Sequence, residues 1–157
     1  KNLKSKANAA IATIKLNNSD FNLNQIRVGD IINFKNQLNK TSFKYFKAAV
    51  ENHSITQEAY LELKKKNPNI IKLGLLMNKH HNILKNNLSI TVPLIDKMID
   101  LALENGSYGA KIIGSGGGGS ILILSNPKDE NKIIEAMYNV GAKEVVKANV
   151  STGIFNL

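Results

Sequence analysis

The sequence predicts a helix-rich α+β domain with a small, mostly antiparallel sheet. Two observations carry this prediction. Apolar residues recur at three- and four-residue intervals over the first two thirds of the chain, and after Gly106 the pattern changes to short β-branched runs around a cluster of glycines. With 157 residues the chain suits a single domain, residues 1–157, large enough to bury a core and too short for two well-packed catalytic lobes.

The elements follow in order. Leu3, Ala7, Ala10, Ile11 and Ile14 line one face of a first helix, which the asparagine-rich stretch Asn17–Asn24 ends. A short helix over Asp30–Leu38 precedes a longer one from Ser42, with Phe43, Phe46, Val50, Ala59 and Leu63 on its apolar side. That helix should stop before Pro68, whose ring disfavours the α conformation in the residue ahead of it. Asn67 is then the expected cap of a third helix with Pro68 at its first position and Ile70, Leu73, Met77 and Leu84 as its stripe. Ser89 or Thr91, with Pro93, marks the next start. Leu94, Ile95, Met98, Leu101 and Ala102 keep the period, and Asn105-Gly106 supplies the stop. Ala110–Gly114 and Ser120–Leu124 read as strands, and Asn126-Pro127 with Asp129 as the start of a helix that carries Ile133, Ala136, Met137 and Val140 and ends at Gly141. Val145–Val150 and Gly153–Phe155 are expected as closing strands, with Val145–Val150 paired beside the glycine turn.

Composition narrows the function classes. The absence of cysteine excludes disulfides and thiolate metal sites and suits a reducing, cytoplasmic setting. No apolar run approaches the roughly 20 residues that span a bilayer, so no membrane partner is expected. The net charge of +9 comes from scattered lysines with a single arginine, Arg27. Lys64, Lys65 and Lys66 read as a solvated helix end, and no aromatics are set among them to stack on bases, so no nucleic-acid partner is expected either.

Gly114-Ser115-Gly116-Gly117-Gly118-Gly119-Ser120 is the stretch most able to carry chemistry. Five glycines in seven residues suit neither a helix nor a packed strand. They suit a backbone whose N–H groups converge on phosphate oxygens, with the two serines as extra donors, or a tight turn in a hairpin. The segment lacks the lysine of a P-loop and no helix follows it directly. His80 and His81 are adjacent and point about 100° apart on a helix, which is not the i, i+4 spacing of a helical zinc site. No metal ligand set is therefore expected, and His81 reads as a partly buried histidine that joins neighbouring segments by hydrogen bonds, its charge limited by burial. Glu51, Asp96 and Asp100 read as helix-surface carboxylates, which leaves no catalytic residue assigned in this chain.

Beyond its glycines, Tyr108–Ser120 resembles the third motif of the small-molecule kinase superfamily that includes galactokinases, homoserine kinases, mevalonate kinases and phosphomevalonate kinases, the GHMP type. Leu75–Leu84, Leu88–Ile90 and Pro93–Asp96 look like the helix and following segment that precede this motif in galactokinases, and Phe46–Asn52 is similar to a stretch that ends in glutamate and asparagine. Val150–Ile154 resembles the family's terminal strand pair. The resemblance implies the C-terminal domain of an ATP-dependent kinase that phosphorylates a sugar hydroxyl, on the galactokinase branch. Gly118 and the segment around it are nearer to mevalonate and heptose kinases, which are the alternative, together with a non-catalytic metabolite-binding module. It implies that an N-terminal kinase domain is the partner, holding most of the ATP and Mg2+ contacts and the catalytic aspartate, and that the fragment alone is inactive. Gly114, Ser115, Gly116, Gly117, Gly118, Gly119 and Ser120 would then lie beside the phosphates.

Overall fold

The computed structural model describes residues 3–114 and 118–149, within which the order is three helices, an irregular crossing, a fourth helix, a β-hairpin and a fifth helix. Helix α1, Leu3–Asn17, packs against α2, Lys40–Leu63, and two 3-10 stretches, Leu23–Gln25 and Val28–Gln37, fill the return between them. The spacing of Ala10, Ile14, Phe46 and Val50 puts all four on facing sides of the two helices, where they are buried with Ile31. Phe21, Phe34 and Phe46 close this cluster, with ring centroids 5.4 to 6.2 Å apart and two of the three pairs edge-to-face, the arrangement that aromatic quadrupoles favour. The expected short helix over Asp30–Leu38 is thus a 3-10 stretch shifted by one or two residues. Asp30 explains its start, since its carboxylate accepts from the Arg27 amide at 2.9 Å.

Helix α2 begins at Lys40 because Asn39 caps it, accepting from the Ser42 amide at 2.8 Å. Helix α3 runs over Ile70–Asn82 and corrects the expected start at Asn67-Pro68: Asn69 is the cap, with its side chain accepting from the Lys72 amide at 3.0 Å. The reason lies in α2. Glu62 Oε1 accepts from the Asn69 amide at 2.9 Å, which holds the chain extended until that residue. After α3 the backbone widens into a π-helical turn, Ile83–Asn87, and Ser89 adopts a positive φ of 53°. Helix α4, Pro93–Glu104, has Pro93 in its first turn as expected, but Val92 is its cap residue and no side chain caps it. Gly106, at φ 97°, ends it, with the Ser107 amide returning to the Ala102 carbonyl at 3.0 Å.

Strands β1, Gly109–Ile113, and β2, Ser120–Leu124, pair antiparallel with Gly109 opposite Leu124 and Ile113 opposite Ser120. Alternation along β1 turns Ala110 and Ile112 onto α4 and onto α5, Glu130–Asn139. There they are buried with Ile95, Met98, Ile99, Ala102, Ile133 and Met137. Burying an isoleucine or methionine of this kind stabilises the fold by about 1.5–3 kcal/mol. Helix α5 starts at Glu130, later than Asn126-Pro127 suggested, because Asn126 first accepts from the Lys128 amide at 3.0 Å in a turn of its own. The fold class is as the sequence predicts, a helix-rich domain with a small antiparallel sheet.

One expected strand is absent. Of Val145–Val150, residues 145–149 form no strand, and Val150 and Gly153–Phe155 lie outside the described residues. The Val145 amide donates to the Tyr138 hydroxyl at 3.3 Å and Lys147 pairs with Glu130 at 3.0 Å, so this segment is fastened to α5 rather than to the sheet. Val146, 73% exposed, has no sheet face to cover. Among the described residues no helix is long and apolar enough to cross a membrane.

Candidate functional site

The glycine segment joins the two strands of the hairpin. Gly114 follows β1 at φ 83°, Gly118 and Gly119 have φ of 122° and 101°, and Ser120 opens β2 opposite Ile113. Ser115, Gly116 and Gly117 lie outside the described residues. A Cβ built on Gly114, Gly118 or Gly119 would meet no atom of the described residues within 4 Å. Glycine is therefore favoured at these positions by positive φ, where any L side chain is strained, and the described residues add no crowding of their own. No described residue covers the backbone there on the side where a side chain would stand.

The crowded glycines are elsewhere, and they hold β1 in place. A Cβ on Gly74 of α3 would lie 2.3 Å from the Tyr108 carbonyl oxygen, and one on Gly109 would lie 2.1 Å from the Gly74 carbonyl oxygen. Helix and strand thus touch backbone to backbone. One turn further along α3, Asn78 Oδ1 accepts from the Ala110 amide at 2.9 Å while its Nδ2 donates to the Tyr108 carbonyl at 3.4 Å. The side-chain amide pairs with the strand as a further strand would and satisfies the buried edge of β1. Tyr108 is fixed again by its hydroxyl, which accepts from Asn126 Nδ2 at 3.1 Å. These contacts set the direction in which β1 delivers Gly114.

Charged groups are distributed around this frame. Lys111, on β1, donates from Nζ to the Ile112 carbonyl at 2.9 Å, and burial lowers its pKa. The pKa of His80 is lowered by burial and then by the positive charges of Lys111 and His81. His81 is buried at 4% exposure, with Nε2 3.4 Å from Asp96 Oδ1, and the other oxygen of Asp96 is 3.4 Å from Lys85 Nζ. Neither imidazole nitrogen makes an aligned hydrogen bond, so the contact with Asp96 is electrostatic. Burial lowers the pKa of His81, and the Asp96 carboxylate opposes that shift. The burial expected of His81 is met, and the hydrogen bonds expected of it are replaced by this contact. Asp96, read as a surface carboxylate, is the partner that sequence reasoning missed.

Glu62 was missed as well. It is 1% exposed and receives Lys65 Nζ at 2.8 Å, the Asn69 amide at 2.9 Å and Lys72 Nζ at 3.4 Å. The hydrogen bond from Lys65, followed by that from the Asn69 amide, holds its pKa down to about 2. Lys65 is therefore not simply solvated, and Lys64 lies over the Tyr60 ring at 4.5 Å. The cluster ties the end of α2 to the start of α3, and nothing in it is arranged for chemistry. Among the described residues no three histidine, aspartate or glutamate side chains converge to hold a metal.

Comparison with known proteins gives the arrangement its context. The family model described as GHMP kinases C terminal matches residues 58–143, which takes in the C-terminal end of α2, all of α3, α4, the hairpin and α5. Mevalonate kinase of Methanocaldococcus jannaschii is 39% identical over 64 residues, 41% of this chain and 20% of that protein. Galactokinase of Glaesserella parasuis is 34% identical over 123 residues, 75% of this chain and 29% of that protein. The chain therefore spans less than a third of the length of either relative. Among solved structures, Lactococcus lactis galactokinase complexed with galactose superimposes with a TM-score of 0.73 at 20% identity, over 88% of this chain and 36% of that one. L. major mevalonate kinase in complex with R-mevalonate gives 0.56 at 20% identity, over 71% of this chain and 32% of that one. With a matched region that contains both the crowded α3–β1 contact and the glycine hairpin, the chain belongs to the GHMP kinase family and corresponds to its C-terminal domain.

Proposed function

We propose that this chain is the C-terminal part of an ATP-dependent small-molecule kinase, most similar in function to galactokinase, and that Gly114–Ser120 forms one wall of its phosphate site. The observation that carries the reading is the positive-φ glycine backbone at Gly114, Gly118 and Gly119, where no described residue would meet a Cβ, within a region matched by the kinase family. Such backbone can offer N–H groups to anionic oxygens. A valine or leucine there would fill that space. ATP, when bound, supplies the phosphoryl group, and the turn would orient its phosphates while β1, held by Asn78 and Gly74, keeps the turn in position. No carboxylate cluster among the described residues fits Mg2+. We therefore assign the metal, the catalytic aspartate and most of the nucleotide contacts to an N-terminal kinase domain as partner, in a cytoplasmic protein.

The galactokinase reading is supported by the longer stretch of similarity, 123 residues against 64 for mevalonate kinase. The higher identity over the shorter stretch, 39%, favours an acceptor of the mevalonate type as the second reading. Incubating the full-length protein with Mg2+-ATP and a panel of galactose, mevalonate and a heptose phosphate separates them. Phosphorylated galactose is the expected product, mevalonate phosphate supports the second reading, and no product from any acceptor contradicts the kinase assignment. The isolated chain should phosphorylate none of the panel.

A further inference from the structure

The asparagine-rich return after α1 lines an open cleft of about 440 Å³, a volume in the usual range for small-molecule sites. It stands on the Phe21–Phe34–Phe46 cluster, which shares no residue with the cluster that buries β1, so it is distinct from the glycine turn. Phe21 and Phe34, both partly exposed, form its apolar floor, and Ile26 adds to it. Around this floor stand Asn17, Asn18, Asn22 and Gln25.

These amides are only partly used inside the protein. Asn18 Nδ2 donates to the Ile14 carbonyl and to Gln37, both at 2.8 Å, which leaves its oxygen as an acceptor. Asn22 Oδ1 accepts from the Asn24 amide at 3.1 Å, which leaves its NH2 group as a donor. Among the described residues, Asn17 and Gln25 have no side-chain hydrogen bond, so each offers both functions. The cavity thus presents donors and acceptors together over an aromatic floor. Among the described residues of the lining, Asp20 is the one ionisable group, which is notable in a chain of net charge +9. An anion would meet a carboxylate and no cation there.

We infer that this cleft is a second, non-catalytic binding site for a neutral polyhydroxylated ligand, a monosaccharide or a short saccharide. Each sugar hydroxyl both donates and accepts, which matches the mixed amides, and the C–H face of a pyranose ring suits the exposed phenyl groups. The site lies outside the reaction proposed above, so occupancy does not require turnover.

The test is an NMR titration of the full-length protein with galactose, glucose and galacturonate, following the side-chain amides of Asn17, Asn22 and Gln25 and the backbone of residues 17–26. Expected are saturable shifts in this segment with a neutral sugar, with a Kd in the millimolar range, and at least about tenfold weaker binding of galacturonate. The double variant Asn17→Ala, Gln25→Ala removes two side chains that make no hydrogen bond among the described residues. It should abolish those shifts and leave phosphotransfer unchanged. Shifts absent with both neutral sugars, equal affinity for galacturonate, or undiminished binding to the double variant would each overturn the inference.

Discussion

Gly74 and Gly109 show how a single missing atom fixes a domain. With a Cβ on either, the backbones of α3 and β1 would have to separate, since the obstructing atoms belong to the main chain and cannot rotate away. Gly74→Ala or Gly109→Ala should therefore destabilise the protein by about 1–3 kcal/mol, the usual cost of overpacking, read as a lower midpoint of denaturant unfolding. Gly29→Ala, with open space around it, is the control and should leave the midpoint near that of the parent. Glu62 gives a pH signature of its own. Its pKa is held down to about 2 in the folded protein, well below an ordinary glutamate carboxyl, so the unfolded chain takes up the proton first. Its contribution is complete above pH 4.5 and is lost as pH falls toward 2. Unfolding midpoints measured across that window should fall more steeply for the parent than for Glu62→Gln. Parallel slopes would contradict the role assigned to the Lys65 and Asn69 contacts.

At the scale of elements, the helices were legible because their apolar periods are long and their punctuation is strong. Pro93 and Gly106 bracket α4 in the sequence and bracket it in the fold. Legibility failed where a distant residue decided the outcome. The start of α3 depends on Glu62, seven residues away, and the course of residues 145–149 depends on Tyr138 and Glu130, which no local pattern announces. The edge of β1 depends on Asn78, thirty-two residues from Ala110 in sequence. Asn78→Leu should leave the Ala110 amide buried without a partner and cost about 1–3 kcal/mol. Amide hydrogen exchange at Ala110 should accelerate with it, and unchanged protection there would show that another group satisfies the strand. The α3–α4 contact is tested through His81. Because burial lowers its pKa below that of an ordinary imidazole while Asp96 opposes the shift, Asp96→Asn should lower it further. An imidazole titration by NMR in which the variant shows a higher pKa than the parent would reverse the electrostatic reading.

At the scale of the molecule, two apolar clusters divide the work. One, around Phe46, holds α1, the 3-10 stretches and α2 together, and the other, around Ile112, holds the hairpin between α4 and α5. Helix α3 connects the hairpin to α2, touching both, so the glycine turn projects from a strand anchored on its edge and on one face. The glycine run identified the candidate site in the sequence because five glycines in seven residues have few structural uses. Its anchoring was not legible, because Gly74 and Asn78 look like ordinary helix residues until the strand is placed against them. The central claim is that the turn serves phosphoryl transfer rather than only closing a hairpin, and Gly118→Val in the full-length protein tests it most directly. Gly118 has a φ of 122°, and no described residue stands where the valine would project. The strain should cost about 1–3 kcal/mol of stability, while displacement of the phosphates by about 1 Å should lower kcat by roughly 100-fold. Steady-state kcat and KM for ATP, measured beside the midpoint of denaturant unfolding, are predicted to show a large catalytic loss in a protein that remains folded. Parental kcat and KM in the folded variant would contradict the account and leave Gly114–Ser120 as a turn alone.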